Sequence, residues 1–160
     1  MKLFLISGDE CGVGKSTFAN TLSLNVWSFA TALRGDLNKC YPLYEWFRKD
    51  QEYKNTTYIK ELNCNMRDAI IKHGERRRAE NPDYWANILA ERISELYSVV
   101  ISGGSLAVDD LRYMNELRVI RERHPYMQIT HFHLKTKTSL PTENDAAQLA
   151  EVADYIVVRS

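Results

Sequence analysis

Neither sign of charge dominates this sequence: Lys plus Arg and Asp plus Glu both number 21 in 160 residues. A chain so balanced has no bulk electrostatic attraction for nucleic acid or for an anionic membrane, and neither is expected as a partner. Cysteine is scarce. Cys11, Cys40 and Cys64 have no paired spacing, which argues against a disulfide framework and fits a reducing compartment. Long hydrophobic runs are missing too. The apolar start, residues 1–7, is soon interrupted by Asp9 and Glu10, too early for a signal peptide or a membrane span. No internal repeat or low-complexity tract is visible. These absences leave the expectation of a soluble cytoplasmic protein, with a length that suits one domain and a substantial core.

What is present begins at residue 8. Gly8-Asp9-Glu10-Cys11-Gly12-Val13-Gly14-Lys15-Ser16-Thr17 follows an apolar run at 3–6 and leads into residues 18–24, whose apolar positions have helical spacing. Strand, glycine-rich turn, helix is the context in which a phosphate-binding loop is credible. Gly12 and Gly14 allow backbone N–H groups to converge on phosphate oxygens, and the helix starting near Lys15 presents its positive end. Lys15 would reach the β- and γ-phosphates, and the Ser16 hydroxyl would ligate Mg²⁺. The spacing departs from the usual pattern. Five residues separate Gly8 from Gly14 rather than four, and Asp9 holds the expected glycine position. The loop is either one residue longer or enters differently, and Asp9 and Glu10 are expected to point outward, since carboxylates facing phosphates would repel them.

Strands are expected at 2–7, 26–30, 105–109, 127–134 and 154–158. A strand at 99–102 competes with the one at 105–109. The latter is favoured because its end would deliver Asp109 and Asp110 to the ligand-binding edge of the sheet. Helices are expected at 15–25, around 43–50, 58–73 and 84–97, and at 113–123. Asn81-Pro82-Asp83 is a start signal for the helix at 84–97. Alternating strands and helices behind an N-terminal phosphate loop imply an α/β fold of three layers: a five-stranded parallel sheet with helices on both faces. The whole chain, 1–160, is expected to be one domain, with a helical insertion at about 31–97 and a short lid at about 135–143.

Phosphoryl transfer needs positive charge for the acceptor and a carboxylate near the metal or substrate. Arg34 follows the second strand, Arg67 precedes Gly74, and Glu75-Arg76-Arg77-Arg78 follows that glycine. Asp109-Asp110-Leu111-Arg112 closes a strand, with Glu116 soon after. Each has a plainer reading. Arg76–Arg78 could be a solvated helix end. Asp109 and Asp110 could cap the next helix, and Trp85 could be ordinary core. His131 and His133 share a strand face, but without a Cys or carboxylate at ligand spacing they read as structural.

In order and separation these pieces resemble the bacteriophage deoxynucleoside monophosphate kinases, within the nucleoside monophosphate kinase group of P-loop proteins. The resemblance runs over roughly residues 1–134. Its most specific parts are residues 66–74 leading to Asn81-Pro82-Asp83-Tyr84-Trp85, and Asp110-Leu111-Arg112-Tyr113-Met114-Asn115-Glu116. It implies that Gly12, Val13, Gly14, Lys15, Ser16 and Thr17 hold the phosphates of ATP, with Mg²⁺ on Ser16. It further implies that Arg34, Arg67 and Arg78 hold a monophosphate and that Trp85 lines the deoxynucleotide pocket. Asp110, Arg112 and Glu116 would flank the reacting phosphates or the substrate, and Lys15, Arg67, Arg78, Asp110 and Arg112 would be the catalytic set. Ser16 stands where the family usually has Asp, and Gly74-Glu75 where it has Gly-Thr. The lid offers Lys135 and Lys137 but no arginine. The expected partner is a small deoxynucleoside monophosphate, in a bacterial host cytoplasm. A homodimer stays open, although no part of the pattern marks an interface.

Other readings compete. Residues 11–17 also resemble the loop of partition-type ATPase switches, but Glu10 stands where those carry a lysine. The same fold could instead phosphorylate another small acceptor, such as phosphomevalonate or shikimate, or could bind nucleotide without turnover.

Overall fold

The apolar residues after Met1 form β1 (Lys2–Gly8), which lies at the centre of a parallel sheet. The computed structural model describes residues 1–99 and 104–160. These divide into unit 1, Met1–Phe29 with Ala86–Ser160, and unit 2, Ala30–Trp85.

Unit 1 carries five parallel strands: β1, β2 (Val26–Trp27), β5 (Ser105–Val108), β6 (Gln128–Thr136) and β7 (Tyr155–Arg159), in the order β2-β5-β1-β6-β7. This is the expected α/β architecture. The favoured strand at 105–109 is β5, while residues 100–102 of its competitor lie outside the described residues. β1 is continuously apolar because both its faces are covered. On one face α1 (Lys15–Leu22) packs with Ile6, Val13, Ala19, Ala107 and Leu134, all buried, and Phe18 meets Phe132 edge-on at 5.2 Å. The other face carries Leu3, Leu5, Ser7, His131 and His133, all fully buried. Around the sheet lie α5 (Tyr84–Val99), which has Leu89, Ala90 and Ile93 buried in this unit, α6 (Met114–Arg123) and the short α7 (Ala146–Glu151). No pattern in the sequence had marked α7. No helix among the described residues is long and apolar enough to cross a membrane.

Unit 2 departs more from expectation. α2 (Phe29–Cys40) begins at once after β2, so the second strand is shorter than 26–30. The helix expected at 43–50 does not form. Trp46 is fully buried instead, its indole N–H donating to the Tyr41 carbonyl at 2.8 Å, and this anchoring holds the segment irregular. Asp50 then caps α3 (Gln51–Thr56). The helix expected at 58–73 starts late. Residues 58–65 form a small antiparallel pair, β3 (Tyr58–Ile59) with β4 (Cys64–Asn65), turned by Asn63 in the left-handed region at φ 50°. Only then does Asn65, accepting from the Asp68 N–H at 2.8 Å, start α4 (Met66–Glu80). Asparagines offer the backbone turn and cap bonds that compete with helix, which is why the helix waits for residue 66.

Candidate active site

The loop between β1 and α1 has the backbone of a phosphate cradle. Gly12 and Gly14 sit at φ 85° and 95°, where a side chain is strained. A Cβ at Gly8 would lie 2.6 Å from Val13 Cγ1, so the loop folds back over Gly8 and needs a glycine there. Gly8 thus makes the close approach at the start of the loop, with one more residue before Gly14 than the usual spacing. α1 has no side-chain cap, whereas Asp50 and Asn65 cap α3 and α4. Its first N–H groups are left for an anion.

Asp9 corrects the expectation that it points outward. Its carboxylate is 6 % exposed and turned into unit 1, where Oδ1 accepts from His133 Nε2 at 2.8 Å and Oδ2 from the Ser139 hydroxyl at 2.7 Å. His133 Nδ1 lies 2.8 Å from Ser7 Oγ, which lies 2.7 Å from His131 Nε2. With both imidazoles neutral, one ordering satisfies the chain: His131 donates to Ser7, Ser7 to His133, and His133 to Asp9. Burial alone would raise the Asp9 pKa, but the bonds from His133 and Ser139 outweigh it and hold it below the ordinary value. Burial, with Arg121 and His133 nearby, pushes His131 down to about 4. Both imidazoles are buried and engaged in this hydrogen-bonded chain with Ser7 and Asp9. Among the described residues no group of His, Cys, Asp and Glu forms a metal cluster.

Lys15, 9 % exposed, donates to Glu143 Oε2 at 2.6 Å and to the Glu10 carbonyl at 3.2 Å. Glu143 belongs to the stretch expected as a lid, and that stretch is fastened to the loop: the N–H groups of Thr142 and Glu143 both donate to the Asp9 carbonyl. The stretch has no arginine, but β7 supplies one. Arg159 Nη1 lies 3.3 Å from the Gly14 carbonyl and 3.4 Å from that of Val13. A Cβ on Gly14 would lie 1.6 Å from that nitrogen, so a side chain there would displace the Arg159 guanidinium from the loop.

Ser16 Oγ donates to Asp109 Oδ2 at 2.5 Å. This hydroxyl and carboxylate are hard oxygen ligands of the kind Mg²⁺ takes in ones and twos, beside water and phosphate, and they fit that ion. Asp109, rather than Asp110, reaches the loop. Asp110 Oδ1 accepts from the Phe29 N–H at 2.8 Å. Strand alternation explains the choice, since Asp109 shares a side with Ala107, which packs against α1. Glu116, expected to flank substrate, is 2 % exposed and accepts from the N–H groups of Arg112 and Tyr113 at 2.9 and 3.1 Å, tying down the start of α6. The Arg112 side chain is exposed, as are Ser16 and Thr17.

In unit 2, Trp85 is 1 % exposed and its indole N–H donates to the Gly74 carbonyl at 3.2 Å, with Tyr84 packed edge-on at 4.8 Å. It is a core residue there. A cavity of about 240 Å³ in this unit is lined by residues that include Leu37, Tyr41, Lys72, His73 and Arg76. Arg78 is half-buried beside Gly74. Arg34 and Arg67 both act electrostatically on Lys54, a buried residue of α3 that no motif had singled out. Glu143, Arg159 and Lys54 are functional candidates that sequence reasoning missed, because each lies outside any motif.

No protein-family model matches the chain, and no curated protein matches it in sequence. Among solved structures it is similar to a dephospho-CoA kinase from Campylobacter jejuni. The TM-score is 0.55 at 16 % identity, covering 100 % of this chain and 89 % of that one. A likeness at that identity establishes the P-loop kinase fold.

Proposed function

We propose that the protein transfers the γ-phosphoryl group of ATP to a deoxynucleoside monophosphate, yielding ADP and the deoxynucleoside diphosphate. The observation that carries this reading is the Ser16–Asp109 pair at 2.5 Å, next to Lys15 at the head of an uncapped helix. A carboxylate-held hydroxyl, a lysine and free N–H groups together suit a nucleoside triphosphate with its metal.

The acceptor is already an anion, so the reaction needs no strong general base. An acceptor phosphate oxygen bonds to the γ-phosphorus as the bond to the β–γ bridging oxygen breaks, and that oxygen leaves on ADP. The protein's part is alignment and charge neutralisation. The glycine-rich loop and Lys15 orient the donor phosphates, and Lys15 must exchange Glu143 for a phosphate oxygen to do so. Mg²⁺ on Ser16 and Asp109 would supply further neutralisation of those phosphates. Arg159 holds the loop through the carbonyls of Val13 and Gly14. On the acceptor side the reading uses Arg34, Arg67 and Arg78.

A coupled assay of ADP release tests it. ADP formation is expected to depend on an added deoxynucleoside monophosphate. ATP consumption that ignores every such addition would mark a switch ATPase instead. Dependence on dephospho-CoA or another small acceptor alone would keep the kinase and replace the substrate.

A further inference from the structure

Five hydrogen bonds converge on Asp9. Its N–H donates to the Leu134 carbonyl of β6 at 3.0 Å, and its Oδ1 accepts from His133 at 2.8 Å. These two bonds fix the residue to the sheet. The other three go to the segment 139–143. Oδ2 accepts from the Ser139 hydroxyl at 2.7 Å, and the Asp9 carbonyl accepts from the N–H groups of Thr142 at 2.8 Å and Glu143 at 3.0 Å. That segment has no helix or strand of its own, and its Leu140 is 67 % exposed, so apolar burial does little to keep it in place. Just beyond it, Asp145 is anchored to the start of α6, where its carboxylate accepts from the Met114 N–H at 2.8 Å and its N–H donates to the Arg112 carbonyl at 3.1 Å. Between these ends the segment is held against the phosphate loop by Asp9 and by the ion pair of Glu143 with Lys15. The pair is closed over, with side chains 11 % and 9 % exposed.

A buried carboxylate with both oxygens satisfied can be a support and nothing more. Here, however, every bond from Asp9 that leaves the sheet goes to one short segment, and that segment delivers a carboxylate to the lysine of the loop. Glu143 Oε2, 2.6 Å from the Lys15 ammonium, occupies a direction in which that group would meet a phosphate oxygen. We propose that Asp9 is a positioning residue acting through Lys15: it latches the segment 139–143 across the phosphate loop, so that Glu143 holds the lysine in the empty protein, and the latch opens when a nucleoside triphosphate takes the lysine. The inference rests on the reading of the loop as the donor site and goes beyond it by giving the empty protein a closed state. Opening costs the three bonds to Asp9 and the ion pair, and a phosphate oxygen replaces the carboxylate at Lys15. Asp9 itself stays in place through Leu134 and His133, which Ser7 fixes from the far side at 2.8 Å. The cradle therefore keeps its shape when the segment leaves. The closed state lowers the apparent affinity for the triphosphate by the fraction of molecules that are open.

The test uses the full chain. Hydrogen exchange at the Thr142 and Glu143 amides reads the segment, and acylation of Lys15 by acetic anhydride, followed by mass spectrometry, reads the lysine. In the empty protein the amides are expected to be protected and Lys15 slow to react. Ser139→Ala is expected to speed both processes about 10-fold, the loss of one charge-assisted hydrogen bond. Glu143→Gln is expected to speed acylation alone, because it removes the ion pair and keeps the bonds to the Asp9 carbonyl. Asp9→Asn, which keeps an acceptor toward His133 and an amide toward Ser139, is expected to retain the latch that Asp9→Ala loses. A nonhydrolysable ATP analogue with Mg²⁺ is expected to protect Lys15 and expose the two amides. Lys15 acylation indifferent to both Ser139→Ala and Glu143→Gln would overturn the proposal. So would amides that stay equally protected while calorimetry shows the analogue bound, and that result would leave the donor reading standing. A latch that responds to the variants in a protein that binds no analogue would keep the hold of Asp9 on Lys15 and reject the donor reading.

Discussion

The two units handle buried charge in opposite ways. In unit 1 each buried charged group of the loop region has its partner within the protein: Asp9 has His133 and Ser139, and Lys15 has Glu143. In unit 2 the same holds around Asp36, which His73 contacts at 2.8 Å and Arg77 at 3.5 Å, but not around Lys54. A paired site is preorganised and must release a partner to take a ligand. Lys54, by contrast, has its charged form disfavoured by burial first and then by Arg34, Arg67 and Lys49. Donor phosphates, on the proposed function, would therefore bind by exchange in unit 1, taking Lys15 from Glu143.

The largest expected effect comes from breaking the unit 1 pairing at its cation. Lys15→Ala is expected to reduce turnover by about 10²- to 10³-fold, because no other residue replaces its charge on the developing negative charge. Near-normal turnover in the ADP-release assay would remove Lys15 from the mechanism.

Next is acid. Unfolded His131 takes up a proton near its ordinary 6.5, but the folded imidazole resists until about 4. Its contribution to stability is complete above pH 6.5 and is lost as pH falls to about 4, amounting to about 3 kcal/mol. Burial and Arg123 depress His124 in the same direction. Urea unfolding at pH 7, 5.5 and 4.5 should show this slope, and His131→Leu should flatten it; an unchanged slope would place the acid-sensitive group elsewhere.

In unit 2, Arg67→Ala is expected to raise the acceptor KM by about 10- to 100-fold, the value of a charged hydrogen bond. A change confined to the KM for ATP would contradict the division between the units. The smallest effect belongs to Glu143→Gln. Removing the carboxylate that competes for Lys15 is expected to tighten ATP binding by about 0.5–1 kcal/mol, roughly two- to fivefold, as read by calorimetry. Weaker binding would mean that Glu143 helps to hold the nucleotide.

Local pattern determined a good deal of this protein. Strand β1 and the loop after it were legible because a continuous apolar run, glycines and Lys-Ser-Thr are contiguous, and contiguous groups need no tertiary knowledge to be placed together. Helix α5 was legible through Asn81-Pro82-Asp83 and a regular apolar stripe, and the parallel sheet followed from the alternation of elements. Where apolar spacing and side-chain–backbone bonding disagreed, the spacing misled: Trp46 was counted toward a helix it anchors against, and Asn63 and Asn65 postponed α4.

Tertiary structure alone decided who meets whom across long separations. Only the pairing of β1 with β6 brings Asp9 to His133, turning a carboxylate that seemed a threat to the cradle into part of its support. Only the packing of one face of β5 on α1 tells which of the two alternating carboxylates, Asp109 or Asp110, meets Ser16. Glu143 and Arg159 come to the loop from more than a hundred residues away. The physical reason is common to all of them. A motif records which groups are chemically able to act, but desolvation and partner choice are properties of position in space, and those are set by packing.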